Sequence, residues 1–190
     1  SPTMRSLILS DIHGNLEALE AVLEQAQRES CDHIIVLGDL IGYGANPNEV
    51  VDRIFDLKPD LLIRGNHDKV AAGVEEPIHF NPSAANAALW TYNTLTPANR
   101  QRVANLPKGP RTLHSKIEIC HGTPYDEDVY IFDEQDASEA LDSASKQLCF
   151  FGHTHLPGIF SRESKSGPIT VFVPKTNTSE PQAKILNPLA

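Results

Sequence analysis

The chain has 190 residues, 40% of them hydrophobic, which suits one large domain with its own core and argues against a disordered segment. Its net charge of −9, with no stripe of Lys and Arg, argues against a groove that holds nucleic acid by neutralising phosphates. No apolar run approaches the ~20 residues of a membrane span.

The opening residues Ser1-Pro2-Thr3-Met4-Arg5 lack a signal-peptide pattern, with Met4 read as the natural start, and a cytoplasmic location is expected. Ser6-Leu7-Ile8-Leu9-Ser10 reads as a short buried strand ending at Asp11. After Ile12-His13-Gly14-Asn15 a helix is predicted. Leu16, Leu19, Val22, Leu23 and Ala26 recur there at helical spacing, while Glu17, Glu20 and Glu24 fall on the other face. His33-Ile34-Ile35-Val36-Leu37 is a second strand, broken by Gly38-Asp39, and a helix from Pro47 to Leu57 follows, its proline suited to a first turn. Leu61-Leu62-Ile63 leads into Arg64-Gly65-Asn66-His67-Asp68. Apolar strands alternating with helices indicate a sheet buried on both faces and at least partly parallel, with its ligand crevice beyond the carboxyl ends of the strands.

Residues Asn81 to Asn105 are predicted helical with a break near Thr96-Pro97, and two readings stay open for them. One is a cap over the crevice using Leu89, Trp90 and Leu95; the other is an ordinary packed hairpin. Ile117-Glu118-Ile119-Cys120 is a strand ending at His121-Gly122. An acidic helix from Asp133 to Lys146 precedes the strand Leu148-Cys149-Phe150-Phe151, which ends at Gly152-His153-Thr154-His155. Ile169 to Val173 and Lys184 to Leu186 are two further predicted strands. Cys31, Cys120 and Cys149, odd in number and without zinc-type pairing, read as free buried thiols.

Five loops, each following an apolar strand, carry one kind of chemistry: Asp11 and His13; Asp39; Asn66 and His67; His121; His153 and His155. Taken singly, each has a plain structural use. Asp11 suits a helix cap, Gly38-Asp39 and Gly65-Asn66 suit turns, and His121 suits a core imidazole bonded to backbone. His153 and His155 alternate, which on a strand would send them to opposite faces. Five independent turns placing such residues at one end of one sheet point instead to a metal site. Carboxylate, carboxamide and imidazole without thiolate suit Mn²⁺, Fe or Zn²⁺ better than a sulfur-bound zinc or an all-oxygen Mg²⁺ or Ca²⁺ site. The donors are too many for one tetrahedral ion, and two ions sharing a carboxylate would use them. Beside them, Arg64 suits either a phosphate contact or a structural ion pair. Tyr125 and Tyr130 suit packing or stacking on a base, with packing favoured, and Asp126, Glu127 and Asp128 read as solvated surface.

In this order, Asp11-x-His13, Gly38-Asp39, Gly65-Asn66-His67-Asp68, His121 and Gly152-His153-x-His155 resemble the signature of the calcineurin-like metallophosphoesterases. The spacing is most similar to the small prokaryotic branch of YfcE-type phosphodiesterases. Ser10, Gly14-Asn15, Gly42-Tyr43-Gly44 with Pro47, and His121-Gly122-Thr123-Pro124 agree, and the resemblance runs from about Arg5 to Pro157. It implies an α/β fold, a four-layer αββα sandwich of two mixed β-sheets flanked by helices. Residues 1–190 would form a single domain, with a small helical cap insertion at 81–105.

The resemblance also implies that one ion takes Asp11, His13, Asp39 and His155, and a second takes Asp39, Asn66, His121 and His153. It implies that His67 faces the leaving group with Asp68 placed to orient it, and that a hydroxide shared by two cations attacks the phosphate ester. The expected cofactors are two divalent ions, Mn²⁺ first, with Fe, Zn²⁺ or Ni²⁺ as alternatives. The expected substrate is a small phosphoester or nucleotide-type molecule, with a phosphodiester as first choice. Phosphoprotein phosphatase and dinucleoside-polyphosphate hydrolase share the same core. A non-catalytic metal-binding scaffold is the alternative of another class, disfavoured because every ligand position is filled. Relatives usually continue past an Asn-Pro pair into a closing strand or two, whereas here Leu189-Ala190 follows Asn187-Pro188. An unpaired sheet edge is therefore expected, to be covered by a second copy of the chain or by loop.

Overall fold

The computed structural model describes residues 4–174. Strand β1 (Ser6–Leu9), helix α1 (Leu16–Glu29), β2 (His33–Val36), α2 (Pro47–Leu57) and β3 (Leu61–Leu62) open the chain. The three strands pair in parallel in the order β1-β2-β3, with Leu7 opposite Ile34 and Val36 opposite Leu62. Parallel pairing follows from the two intervening helices, which carry the chain back to start each strand from the same end. Asn15 caps α1 by accepting the Ala18 amide at 3.0 Å, and Pro47 stands in the first turn of α2.

Alternation along each strand divides the side chains between two cores. Ile34 and Val36 face the helices with Leu19, Leu23, Val50, Val51 and Ile54, whereas Ile35 and Leu37 face Ile63 and Ile119 on the opposite side. Leu7 and Leu9 join the first group and Ile8 the second. Val50, Val51 and Ile54 are fully buried, each worth about 1.5–3 kcal/mol relative to exposure. Val22, expected on the buried face of α1, is 44% exposed; that helix meets the core through Leu19 and Leu23, with Leu16 packed beside them.

A second sheet holds β4 (Arg111–Leu113), β5 (Ile117–Ile119) and β6 (Leu148–Phe150), with β4 antiparallel and β6 parallel to β5. Leu113, Ile117 and Phe150 pack around Ile119 against the first sheet. Glu118, on the opposite side of β5, accepts Ser145 N and Oγ at 2.8 and 2.9 Å just beyond helix α6 (Glu134–Ser143). The layers therefore run helix, sheet, sheet, helix. Among the described residues the first sheet is parallel and the second mixed. A separate antiparallel hairpin of β7 (Ile159–Ser161) and β8 (Thr170–Phe172) packs through Phe160 near Ala137 and Ala140 of α6. β4 and β7 have no counterpart in the sequence reading, since three residues are too few to show a period.

Between the sheets the chain forms α3 (Asn66–Ala71), α4 (Pro82–Thr94) and α5 (Pro97–Ala104). The last two pack against α2 and α3, burying Ala84, Ala88, Leu95 and Val103, while Leu89 and Trp90 remain exposed. Thr91 of α4 donates to Gly42 O at 2.8 Å, tying this helix pair to the loop after β2. The three cysteines are free, and only Cys120 is fully buried; Cys31 and Cys149 are half-buried. No helix among the described residues is long and apolar enough to cross a membrane. The predicted strand at Lys184–Leu186 and the sheet edge expected from the short tail lie outside the described residues.

Candidate metal centre

The strand ends are bent by unusual backbone conformations. Asp11, His13, Asp39, His153 and His155 all have positive φ, between 50 and 71°. Side chains other than glycine adopt this left-handed region at a cost of roughly 1–2 kcal/mol each, so the surrounding loops must hold it in place. They do so with backbone bonds: Asp11 N to Gly38 O at 3.1 Å, His13 N to Asp39 O at 2.9 Å and Gly152 N to His121 O at 2.9 Å. This geometry also removes the concern that His153 and His155 would point to opposite faces. Neither lies in a strand, and both turn into the same crevice.

Two donor groups result. Asp11, His13 and His155 form one and Asp39, His121 and His153 the other, with ligand atoms within 4.8 Å of one another in each. Asp39 joins them: its Oδ2 lies 3.5 Å from His13 Nε2 and 3.3 Å from His121 Nε2. Its Oδ1 is committed elsewhere, accepting the His67 amide at 2.9 Å. Asp11 divides its oxygens in the same way. Oδ2 accepts Ser10 Oγ at 2.5 Å, the His153 amide bridges both oxygens at 3.0 and 3.2 Å, and Oδ1 faces His155 Nε2 at 3.3 Å. Asn66 brings Oδ1 to 3.1 Å from His121 Nε2. All seven expected metal residues thus meet at one place.

The imidazole tautomers favour cations there. His13 Nδ1 lies 3.1 Å from Ile41 O and His121 Nδ1 2.8 Å from Leu37 O, so each donates its proton to a backbone carbonyl. A cation at each Nε2 would take the place of a second ring proton there, opposite carboxylate oxygen, and His13 Nε2 also faces His155 Nε2 at 3.0 Å. Lone pairs converging on lone pairs and anions repel unless a proton or cation lies between them. His153 Nε2 lies 3.1 Å from Asp128 O, leaving its Nδ1 for the centre. The donor set, its orientation and its charge all fit two divalent ions.

Electrostatics bind the groups together. Burial would raise the Asp39 carboxyl, but the neighbouring His121, His13 and His67 outweigh it and hold it well below the usual carboxylate range. Burial would lower His121, but Asp39 overrides this and lifts it to about 9. His153 is lowered, by burial first and then by His121. His67 falls to about 4, through burial and the surrounding imidazoles, so it is neutral at pH 7.

His67 lies beside both groups, its ring 4.9 Å from His13, 4.7 Å from Tyr43 and 4.6 Å from Phe80. Its buried Nδ1 has no hydrogen-bond partner among the described residues. The expected orienting role of Asp68 needs correction. The Asp68 carboxylate accepts Gly65 N at 2.9 Å and Ile41 N at 3.2 Å instead of the His67 ring. It sits at the third residue of α3, where a carboxylate naturally returns to the orphan amide before the helix. Burial and the charge of Asp39 push it up to about 7.

Asn66-His67-Asp68, read as loop, is the first turn of α3. Glu127, read with its neighbours as solvated surface, is 5% exposed. It accepts Arg64 Nε at 3.1 Å and Nη2 at 2.8 Å and lies 3.2 Å from Lys69 Nζ, so two cations compensate its burial. The ion-pair alternative for Arg64 is therefore present. Tyr130 packs its ring on His153, 3.7 Å between centroids, while Tyr125 is 47% exposed. Lys69, absent from the sequence reading, is 4% exposed; nothing in its local pattern distinguishes it from a surface lysine.

Residues 4–157 match the calcineurin-like phosphoesterase family. The chain is 34% identical over 183 residues to the uncharacterised protein MJ0912 of Methanocaldococcus jannaschii, covering 95% of this chain and 73% of that one. A metallophosphoesterase of Sphaerobacter thermophilus superposes with a TM-score of 0.72 at 39% identity, over 85% of this chain and 64% of that one. The chain thus spans somewhat less than two thirds of the length of that solved relative. Two shorter matches fall on proteins named for an activity. A symmetrical bis(5'-nucleosyl)-tetraphosphatase of Psychromonas ingrahamii is 32% identical over 78 residues, 40% of this chain and 28% of that one. Phosphodiesterase YfcE of Escherichia coli K12 is 31% identical over 74 residues, 34% of this chain and 40% of that one. On the match across most of its length, the chain belongs to the calcineurin-like phosphoesterase family, hydrolases of phosphate ester bonds.

Proposed function

We propose that this protein is a phosphodiesterase that works with two divalent metal ions, Mn²⁺ being the first candidate and Fe, Zn²⁺ or Ni²⁺ the alternatives. Asp11, His13, Asp39 and His155 would hold one ion, and Asp39, Asn66, His121 and His153 the other. When bound, such a pair supplies an activated water and offsets charge on the phosphoryl oxygens. The observation that carries this reading is the carboxylate of Asp39, whose single free oxygen faces both donor groups at 3.5 and 3.3 Å.

The protein's own groups supply the rest. His67, neutral at pH 7, would donate a hydrogen bond from Nε2, the ring nitrogen opposite its buried Nδ1, to the oxygen of the departing group. The 52% exposed side chain of His155 leaves the crevice open for substrate on that side. Backbone bonds from His67 to Asp39 and from His153 to Asp11 fix these donor carboxylates before any ligand arrives, which lowers the reorganisation needed in the transition state. The phosphodiester preference draws support from the YfcE match, although that match is local.

The test is hydrolysis of bis(p-nitrophenyl) phosphate, p-nitrophenyl phosphate and diadenosine tetraphosphate by protein stripped of metal and then loaded with Mn²⁺. Preferential hydrolysis of the diester, abolished by EDTA, is expected. Faster cleavage of the tetraphosphate would overturn the diester preference. Two bound ions with no hydrolysis of any of the three would overturn the enzyme reading in favour of a scaffold.

A further inference from the structure

An ion network beside the second donor group, buried at Lys69 and Glu127, has no part in the reading above. Lys69 stands three residues after Asn66 on α3 and is 4% exposed. Its ammonium lies 2.9 and 2.8 Å from the two carboxylate oxygens of Asp128, 2.9 Å from Glu75 and 3.2 Å from Glu127. Glu127 in turn holds the fork of Arg64. Taking the charges of Lys69 and Glu127 out of water is costly, and apolar residues of similar size would often hold a fold as well. What the network does supply is position.

The positioned atom is the main-chain oxygen of Asp128, which accepts the Nε2 proton of His153 at 3.1 Å. That bond selects the tautomer that leaves Nδ1 free to face Asp39 and His121. The loop is fixed from both ends. Thr123 exchanges hydrogen bonds with Asp126 through N and Oγ1 at 2.9 Å, and Asp128 N donates to Asp126 Oδ1 at 2.9 Å. Tyr130 then lays its ring against His153 with only 12° between the planes. Asn66, His121 and His153 come from three separate segments. Lys69 joins the first segment to the loop that follows the second and touches the third.

We propose that Lys69 and Glu127 are positioning residues for the second metal ion: by locking the 126–130 loop to α3 they hold the Asp128 carbonyl against His153 and so fix its ligand nitrogen. The inference rests on the two-ion reading, and its failure is separable from the failure of that reading. The experiment is calorimetric titration of the metal-stripped full chain with MnCl₂, comparing wild type with Lys69→Met and Lys69→Arg.

In Lys69→Met one ion binds with wild-type affinity and the other about 10–100-fold more weakly, the usual cost of losing an outer support. The Mn²⁺ concentration for half-maximal hydrolysis rises by the same factor, while KM for the diester stays at its wild-type value. Lys69→Arg, which keeps the charge, recovers part of the affinity. Equal weakening of both ions, or weakening of neither, overturns the proposal. Should Lys69→Met fail to fold, the half-exposed Asp128→Asn decides. Selective weakening of one ion supports the proposal and unchanged titration overturns it. A wild-type chain that takes up no Mn²⁺ would instead overturn the two-ion reading itself.

Discussion

Replacing Gly65 by alanine perturbs the centre through sterics alone. Gly65 has φ −104°, which alanine adopts without strain, so backbone freedom is not at stake. The added Cβ would fall 2.5 Å from the Asp39 amide nitrogen and 2.6 Å from its Cγ, closer still to Oδ1, where ordinary contact begins near 3.4 Å. The carboxylate, or the turn carrying Gly65, must therefore recede by at least roughly 0.8 Å. Metal–oxygen distances tolerate only about ±0.2 Å, so the shared oxygen of Asp39 would be lost to at least one ion. Overpacking of this kind costs about 1–3 kcal/mol, or a fall of ~2–12 °C in Tm for a domain of this size.

Metal content by mass spectrometry should fall from two ions to one or fewer, and Mn²⁺-dependent diester hydrolysis at least ~100-fold. The metal-free Tm should fall by several degrees without loss of cooperativity. Gly158→Ala is the control, because the nearest atom to its added Cβ is a Phe160 ring carbon at an ordinary 3.7 Å. A Gly65→Ala protein with two ions and the wild-type rate would refute the placement of Asp39 between the donor groups.

Three further outcomes are expected. His67→Ala should lower turnover by about 10²–10⁴-fold while both ions remain bound; loss of metal would make His67 a ligand or structural residue. Chelation should lower the Tm and Mn²⁺ restore it, each ion adding about 2.7 kcal/mol at a hundredfold excess over its Kd; a Tm indifferent to metal would count against both sites. Glu127 should make the metal-free protein acid-sensitive. Burial raises this carboxyl, but Arg64 and Lys69 outweigh it and hold it below its ordinary 4.5. A carboxyl lowered in the folded state contributes stability that is complete above the unfolded value and is lost as pH falls through the folded one. As pH falls below that ordinary 4.5, the wild-type Tm in EDTA should fall more steeply than that of Glu127→Gln; parallel profiles would refute the linkage.

The parts of this molecule legible in its sequence are those written as periodic apolar runs or as ligand-type residues after them. Ile34-Ile35-Val36-Leu37 announces a strand buried on both faces, and the structure gives its alternate residues to two different cores. Asp11, His13, Asp39, Asn66, His121, His153 and His155 could be gathered because each closes such a run. What was illegible depends on partners distant in sequence. Glu127 sits in a stretch that reads as solvated acid, and it is Arg64, 63 residues away, together with Lys69 that makes its burial tolerable. Asp68 looked like a partner for the adjacent His67, but amides at Gly65 and Ile41 take both its oxygens. The left-handed φ of His153 and His155 is equally absent from residue type, although it decides which way both rings point.

The two donor groups also explain why an acidic chain would concentrate imidazole at one edge. In the first group Asp11 and His13 come from the parallel sheet and His155 from the loop after the mixed one. In the second, Asp39 follows β2 whereas His121 and His153 follow β5 and β6. Neither group can form within one sheet. Each requires the inter-sheet core of Ile35, Leu37, Ile63 and Ile119 to bring the two carboxyl-terminal edges into register. Cations bound there would staple the edges in return, because ligands supplied by both halves exist as a site only when the halves are packed. Packing and metal binding are in this sense one equilibrium. A substitution such as Ile119→Ala, made in the core and touching no ligand, should therefore weaken both ions together as it loosens the sheets, in contrast to the one-ion effect expected of Lys69→Met.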